Sequence, residues 1–90
     1  MITAAAIIQN GVLYSGIPFK DRHHNVIRII VDTAHIKPVT GEQGFIDEKG
    51  WFYDREEAAK HAIECGQVET GKAKIRHIFN GYELYSEDLW

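Results

Sequence analysis

The sequence predicts an α+β fold: one small domain spanning residues 1–90, built from two β-hairpins, two helices and a short C-terminal strand. Three observations carry this. Asn10-Gly11 stands between the apolar runs Ala6-Ile7-Ile8-Gln9 and Val12-Leu13-Tyr14, and both central positions of a tight hairpin turn need φ > 0, which Asn and Gly supply most readily. Phe45-Ile46 and the aromatic run Trp51-Phe52-Tyr53 flank the polar turn Asp47-Glu48-Lys49-Gly50, the pattern of a second hairpin. Asp54 then begins a segment that carries helix signals at both of its ends.

The elements are taken in chain order. Ile2–Tyr14 reads as the first hairpin. Ser15–Asp21 is a connector punctuated by Gly16 and Pro18, with Asp21 placed to cap the next segment. In Arg22–His35, residues His23, Val26, Ile27, Ile30 and Ala34 share one helical face. The β-branched run Val26–Val31 lowers helix propensity, so a buried strand over Ile27–Val31 is the rival. The segment's length and Asp21 favour the helix. Lys37-Pro38 ends regular structure, and Thr40–Gln43 reads as a loop.

The second hairpin leads into the best-marked helix, Asp54–Cys65. Asp54 at the N-cap and Glu57 three positions on form a capping box, and Glu56 and Glu57 place negative charge at the positive end of the helix dipole. Ala58, Ala59, Ala62 and Ile63 make its apolar stripe, and Gly66 lets the chain leave. Beyond it, Lys72–Phe79 alternates basic and apolar residues, as an edge strand would. Asn80-Gly81 reads as another turn and Tyr82–Tyr85 as the final strand. Ser86–Trp90 forms a tail.

Composition narrows the function classes. Ninety residues bury a modest core, and ten aromatic side chains leave room for burial between subunits. A formal charge of −3 gives no general attraction to DNA, RNA or an anionic membrane. The charge is uneven: Glu42–Glu57 holds six acids against Lys49 and Arg55, whereas Lys72, Lys74, Arg76 and His77 form an acid-free run. One cysteine, Cys65, precludes an internal disulfide framework and suits a reducing cytosol. No apolar run nears the ~20 residues of a membrane span, and the N-terminus lacks the basic region of a signal peptide.

Motifs for catalysis are weak. His61 and Cys65 share a helical face and could begin a zinc site, but further ligands at metal spacing are missing, and the plainer reading is a packed Cys65 with a surface His61. Cys65 lies at the negative end of the helix dipole, a poor setting for a thiolate nucleophile. Glu56-Glu57 is explained by the helix start, and neither common phosphate-loop pattern occurs. The fuller constellation suits a small anionic ligand carrying a base. Arg22, beside His23 and His24, would meet a phosphate at a helix start. Phe45, Trp51 and Phe52 offer planar faces for a base. Asn25, Gln43 and Asp54 could read base or ribose edges, and Lys72, Lys74 and Arg76 add positive charge. The plain alternative is that Phe45 and Phe52 are core and Lys72–Arg76 a solvated face.

The segments AAIIQNGVLYSG, RHHNVI, GEQGFIDEKGWFYDREEAAKHAIECGQ and LYSEDLW, in that order, resemble a group of small phage proteins, the first-described Thoeris anti-defence family. The likeness covers most of the chain and is densest around Gly44-Phe45, Asp54–Ala58, Gly66-Gln67 and Ser86–Leu89. It implies a sponge in the host cytoplasm. Such proteins hold cyclic ADP-ribose isomers made by TIR-domain defence enzymes without cleaving them. Some also bind cyclic di- or trinucleotides, made by cGAS-like enzymes, at a separate site. They form dimers that build into hexamers with pockets at subunit contacts, and need no metal or cofactor. By this resemblance Arg22 is the phosphate contact, Phe45 the stacking aromatic, Asp54 the polar residue at the helix start, and Lys72, Lys74 or Arg76 the later basic contact. The chain is short for that family, and Lys72–Gly81 departs from its pattern. The competing expectation is a non-enzymatic inhibitor that blocks a host defence protein through the acidic surfaces Glu42–Glu57 or Ser86–Trp90.

Overall fold

A computed structural model of the chain describes residues 1–67, 76–78, 81–83 and 89. The α+β architecture is as predicted. An antiparallel sheet of four strands runs β2-β1-β3-β4, with β1 at Ile2–Gln9, β2 at Val12–Ser15, β3 at Glu42–Asp47 and β4 at Phe52–Asp54. Helix α1, His23–Ile29, continues into a wider π-helical turn over Ile30–Ala34. There Thr33 Oγ1 donates to the carbonyl of Ile29 (2.6 Å). Helix α2 is Arg55–Glu64. A separate pair, β5 (Arg76–Ile78) and β6 (Gly81–Glu83), lies with β6 against α2. Of the expected final strand, Leu84 and Tyr85 lie outside the described residues, as do Ser86–Asp88 and Trp90 of the tail.

The first hairpin closes as its sequence requires. Asn10 (φ 53°) and Gly11 (φ 77°) both occupy the left-handed region, and Gln9 pairs with Val12. Both helices cover one face of the sheet. Ala5, Ile7 and Phe45 point to that face and pack with Val26, Ile30, Ala58, Ala59 and Ala62, all fully buried. The three alanines of α2 carry only a methyl group each, which lets the helix approach the sheet closely. Larger side chains such as Phe45 supply most of the apolar burial, each contributing about 1.5–3 kcal/mol.

Three local expectations are corrected. Arg22, not Asp21, is the N-cap of α1: the Asn25 side chain accepts from the Arg22 N–H (2.9 Å), while Asp21 accepts from the Ile17 N–H (3.0 Å). Strand β3 begins at Glu42, within the expected loop, because β1 is long enough to pair Ile8 with Glu42 and Ile7 with Gln43. Cys65 is exposed rather than packed. The rival strand at Ile27–Val31 is helical.

The ends of α2 match their sequence signals. Glu57 N–H donates to Asp54 (2.8 Å) and Asp54 N–H to Glu57 (3.2 Å). At the other end Gly66 (φ 78°) sits at C′, with Gln67 N–H bonded to Ala62 O and Gly66 N–H to Ile63 O, a Schellman motif. The Gln67 side chain then accepts from Ile2 N–H and donates to Ile2 O, both at 2.8 Å. That amide completes hydrogen bonding at the start of β1 and ties it to α2. A second amide, the buried Gln9, accepts from Thr40 N–H and Gly41 N–H and fixes the approach to β3. No helix among the described residues is long and apolar enough to cross a membrane.

Candidate functional site

The outer face of α2 and the β3–β4 turn enclose an open groove of about 700 Å³. Asp47, Glu48, Lys49, Trp51, Phe52 and Tyr53 line it from the hairpin. Glu57, Lys60, His61 and Glu64 line it from α2, at the i, i+3, i+4 and i+7 positions of one helical face.

Asp47 organises the turn. Its Oδ1 accepts from Lys49 N–H (2.9 Å) and Trp51 N–H (3.0 Å), and its Oδ2 from the Tyr53 hydroxyl (2.9 Å). Burial pushes the Asp47 carboxyl up, but these hydrogen bonds outweigh it and hold the group below the usual carboxylate range. The same bond to Asp47 raises the Tyr53 phenol. The Tyr53 ring lies 4.7 Å from that of His61, tilted by 52°. His61 Nε2 accepts from the Met1 amine (3.0 Å), which also pairs with Glu48 (2.9 Å). This pairing raises the amine pKa and lowers that of Glu48.

Most acids of the groove therefore already hold donors: Asp47 the turn, Glu48 the amine, Glu57 the helix cap. Lys49 and Lys60 have no ion-pair partner among the described residues. Trp51 is 67% exposed, its indole open beside them.

Among the described residues, those expected to form a site do not converge. Phe45 is fully buried, so its expected role as a stacking platform is corrected: no ring face is open to a base. It pairs with Tyr53 in register and takes the His23 ring edge-on, at 4.9 Å and 84°. His23 is 7% exposed, and its Nε2–H donates to Gly44 O (2.7 Å), so it too serves the core rather than an open pocket. Arg22 heads α1 beside His23, near the Gly44–Asp54 pair of the β3–β4 ladder. Trp51 stands at the opposite end, about 10 Å away at ~3.3 Å per residue.

The expected edge-readers have structural partners: Asn25 holds Arg22 N–H, Gln43 accepts from the Arg55 guanidinium (2.6 Å), and Asp54 caps α2. Lys72 and Lys74 lie outside the described residues, and Arg76 is described only as part of β5. His61 and Cys65 do not come together with further ligands, and no metal-ligand cluster occurs among the described residues. Of the expected site residues, Trp51 lines the groove beside Phe52, the other aromatic of the hairpin weighed as a planar face.

Sequence reasoning missed the contribution of α2. Its signal was the polar series Glu57, Lys60, His61 and Glu64, the stripe opposite the alanines. Close packing also explains Gly44. A Cβ there would strike the Tyr53 backbone and the Phe52 ring, so a side chain would push β4 away from β3.

The sequence profile of a family described as Phage T4 y16D protein matches residues 1–90. No curated protein and no solved structure matches the chain.

Proposed function

The chain belongs to the Phage T4 y16D protein family, and from that premise we propose that it is a phage counter-defence protein that acts by binding rather than by chemistry. Its ligand is a cyclic nucleotide second messenger, a cyclic ADP-ribose isomer or a cyclic di- or trinucleotide, held intact in the host cytoplasm. The counter-defence role rests on the resemblance to the Thoeris anti-defence family. The observation that carries the ligand class is Trp51: an open indole at a groove where Lys49 and Lys60 have no ion-pair partner among the described residues. A base stacks on the indole at ~1–3 kcal/mol, and an ammonium meets the phosphate. The stacking platform is thus Trp51 instead of Phe45.

The test is incubation of the protein with a panel of cyclic nucleotides, removal of unbound ligand, heating, and mass spectrometry of the released material. Intact nucleotide supports the reading. A cleaved product converts the protein into a hydrolase, and an empty release removes the nucleotide altogether.

A second reading has its own support. Asp47, Glu48, Glu57 and Glu64 give the groove four carboxylates against two lysines, which suits a basic segment of a host defence protein, with Trp51 as a cation–π partner. Salt-sensitive capture of a host protein, lost in Glu64→Lys, would favour it.

A further inference from the structure

The carboxylates of the groove divide by what they already hold. Asp47 is buried and accepts from three donors. Glu48 pairs with the Met1 amine, and Glu57 accepts from the Asp54 N–H at the helix start. Glu64 is exposed, and its carboxylate has no hydrogen-bond or ion-pair partner among the described residues.

The direction of α2 places that carboxylate. The helix leaves β4 at Asp54, which pairs with Gly44, and runs toward the β3–β4 turn. His61 lies against Tyr53, and Gln67, past the helix exit, bonds to Ile2, the register partner of Asp47. Glu64 stands three positions beyond His61, about 4.5 Å farther along the helix axis. It therefore lines the turn end of the groove, the end that carries Trp51 and Lys49, and follows Lys60 by one turn on the same helical face.

This end of the groove offers a planar face, two ammonium groups and one carboxylate that can only accept. A phosphate-bearing ligand is repelled by that carboxylate unless it also brings N–H donors to it. Among the common bases, guanine carries two adjacent donors on its Watson–Crick edge, N1–H and N2–H, which match the two oxygens of a carboxylate. Adenine offers N6–H alone and turns the N1 lone pair toward the second oxygen. Cytosine has the same fault, and uracil sets one N–H between two carbonyls.

We infer that the groove selects guanine: a guanine stacked on Trp51 donates N1–H and N2–H to Glu64, while Lys49 and Lys60 meet phosphate. The inference rests on the cyclic nucleotide reading above and narrows it, from adenine-containing ADP-ribose isomers to cyclic di- or trinucleotides that contain guanine.

Calorimetric titration with cyclic di-GMP, cyclic di-AMP and cyclic ADP-ribose tests it. The two dinucleotides share their macrocycle and phosphates and differ only in the bases. The parent should bind cyclic di-GMP roughly ten- to a hundredfold tighter than cyclic di-AMP. Glu64→Gln should bring the two close to parity, because an amide can form two hydrogen bonds with either base. Glutamine suits an exposed helical position as well as glutamate does, and an unchanged thermal melt verifies the fold. Equal affinity of the parent for the two dinucleotides, or a guanine preference that survives Glu64→Gln, would overturn the inference and leave the sponge standing. Binding of cyclic ADP-ribose alone would do the same. Binding of none of the three would remove both the guanine selection and the nucleotide reading beneath it.

Discussion

The two hairpins of the main sheet are held by different physics. The β1–β2 turn is made by backbone: two residues at positive φ close it. The β3–β4 turn also uses a positive φ, at Gly50 (84°), and a Gly50 N–H bond to Asp47 O, but adds one side chain, Asp47, which gathers two backbone N–H groups and a tyrosine hydroxyl. The first arrangement leaves a plain ladder with an uncharged edge. The second places an indole, a lysine and a polar network at one rim, facing Lys60 of α2. A turn built by a side chain brings titratable chemistry with it, and a turn built by backbone angles does not. That is why the groove lies at the second hairpin.

Substitutions can break the contrast. The largest effect should come from Phe45→Ala, which removes the ring packed beneath the second hairpin. Truncating a fully buried Phe costs about 3–5 kcal/mol, read by urea denaturation; a loss below about 1 kcal/mol would return Phe45 to the surface role expected of it from sequence.

Asp47→Ala comes next. It strands two N–H groups and a hydroxyl, at about 1–3 kcal/mol for such a loss. Its pH dependence has a definite sign. A carboxyl held below its ordinary value of 3.8 stabilises the fold above that value, and loses the contribution as pH falls through the lower folded pKa. The stability gap between the parent and Asp47→Asn should therefore be widest near neutrality and narrow below pH 3.8. A gap that is flat with pH would separate the turn from the charge.

At the end of the same hairpin, Asp54→Ala should cost about 0.5–2 kcal/mol by removing the α2 cap, and Asp54→Asn should recover most of it. If the asparagine variant still alters nucleotide affinity, Asp54 has a ligand role beside the cap. The smallest stability effect belongs to Trp51→Ala, within about 0.5 kcal/mol for so exposed a side chain. Its affinity for nucleotide should nevertheless fall roughly ten- to a hundredfold, as the loss of one stacked base implies. Intact affinity in Trp51→Ala would move the weight to the protein-binding reading.

Local signals were legible where the chemistry is local. The Asn10-Gly11 turn, the Asp54–Glu57 capping box and the Gly66 exit are each decided within a few residues, and each stands as read. Register was not legible. Phe45, Trp51 and Phe52 are all aromatic residues of one hairpin; which of them is covered depends on the face α1 and α2 occupy. Pairing Phe45 with Ala5 and Tyr53 turns Phe45 inward. The same gap hid the groove, since α2 lines it with residues that read as ordinary solvated charge. The Asp21 cap failed for a subtler reason: Asn25 plays toward Arg22 the part that Glu57 plays toward Asp54, and asparagine at that position is a weaker signal than glutamate.

The amide of Gln67 has a dynamic consequence. Residues at the outer end of a strand normally fray, and their amides exchange quickly. Ile2 N–H instead donates to a side chain 65 positions along the chain, just past the exit of α2. Its exchange rate therefore reports on the seating of α2 more than on β1 itself. Any event that lifts α2, whether ligand entry, acid or a lost cap, should release that one proton before the sheet opens.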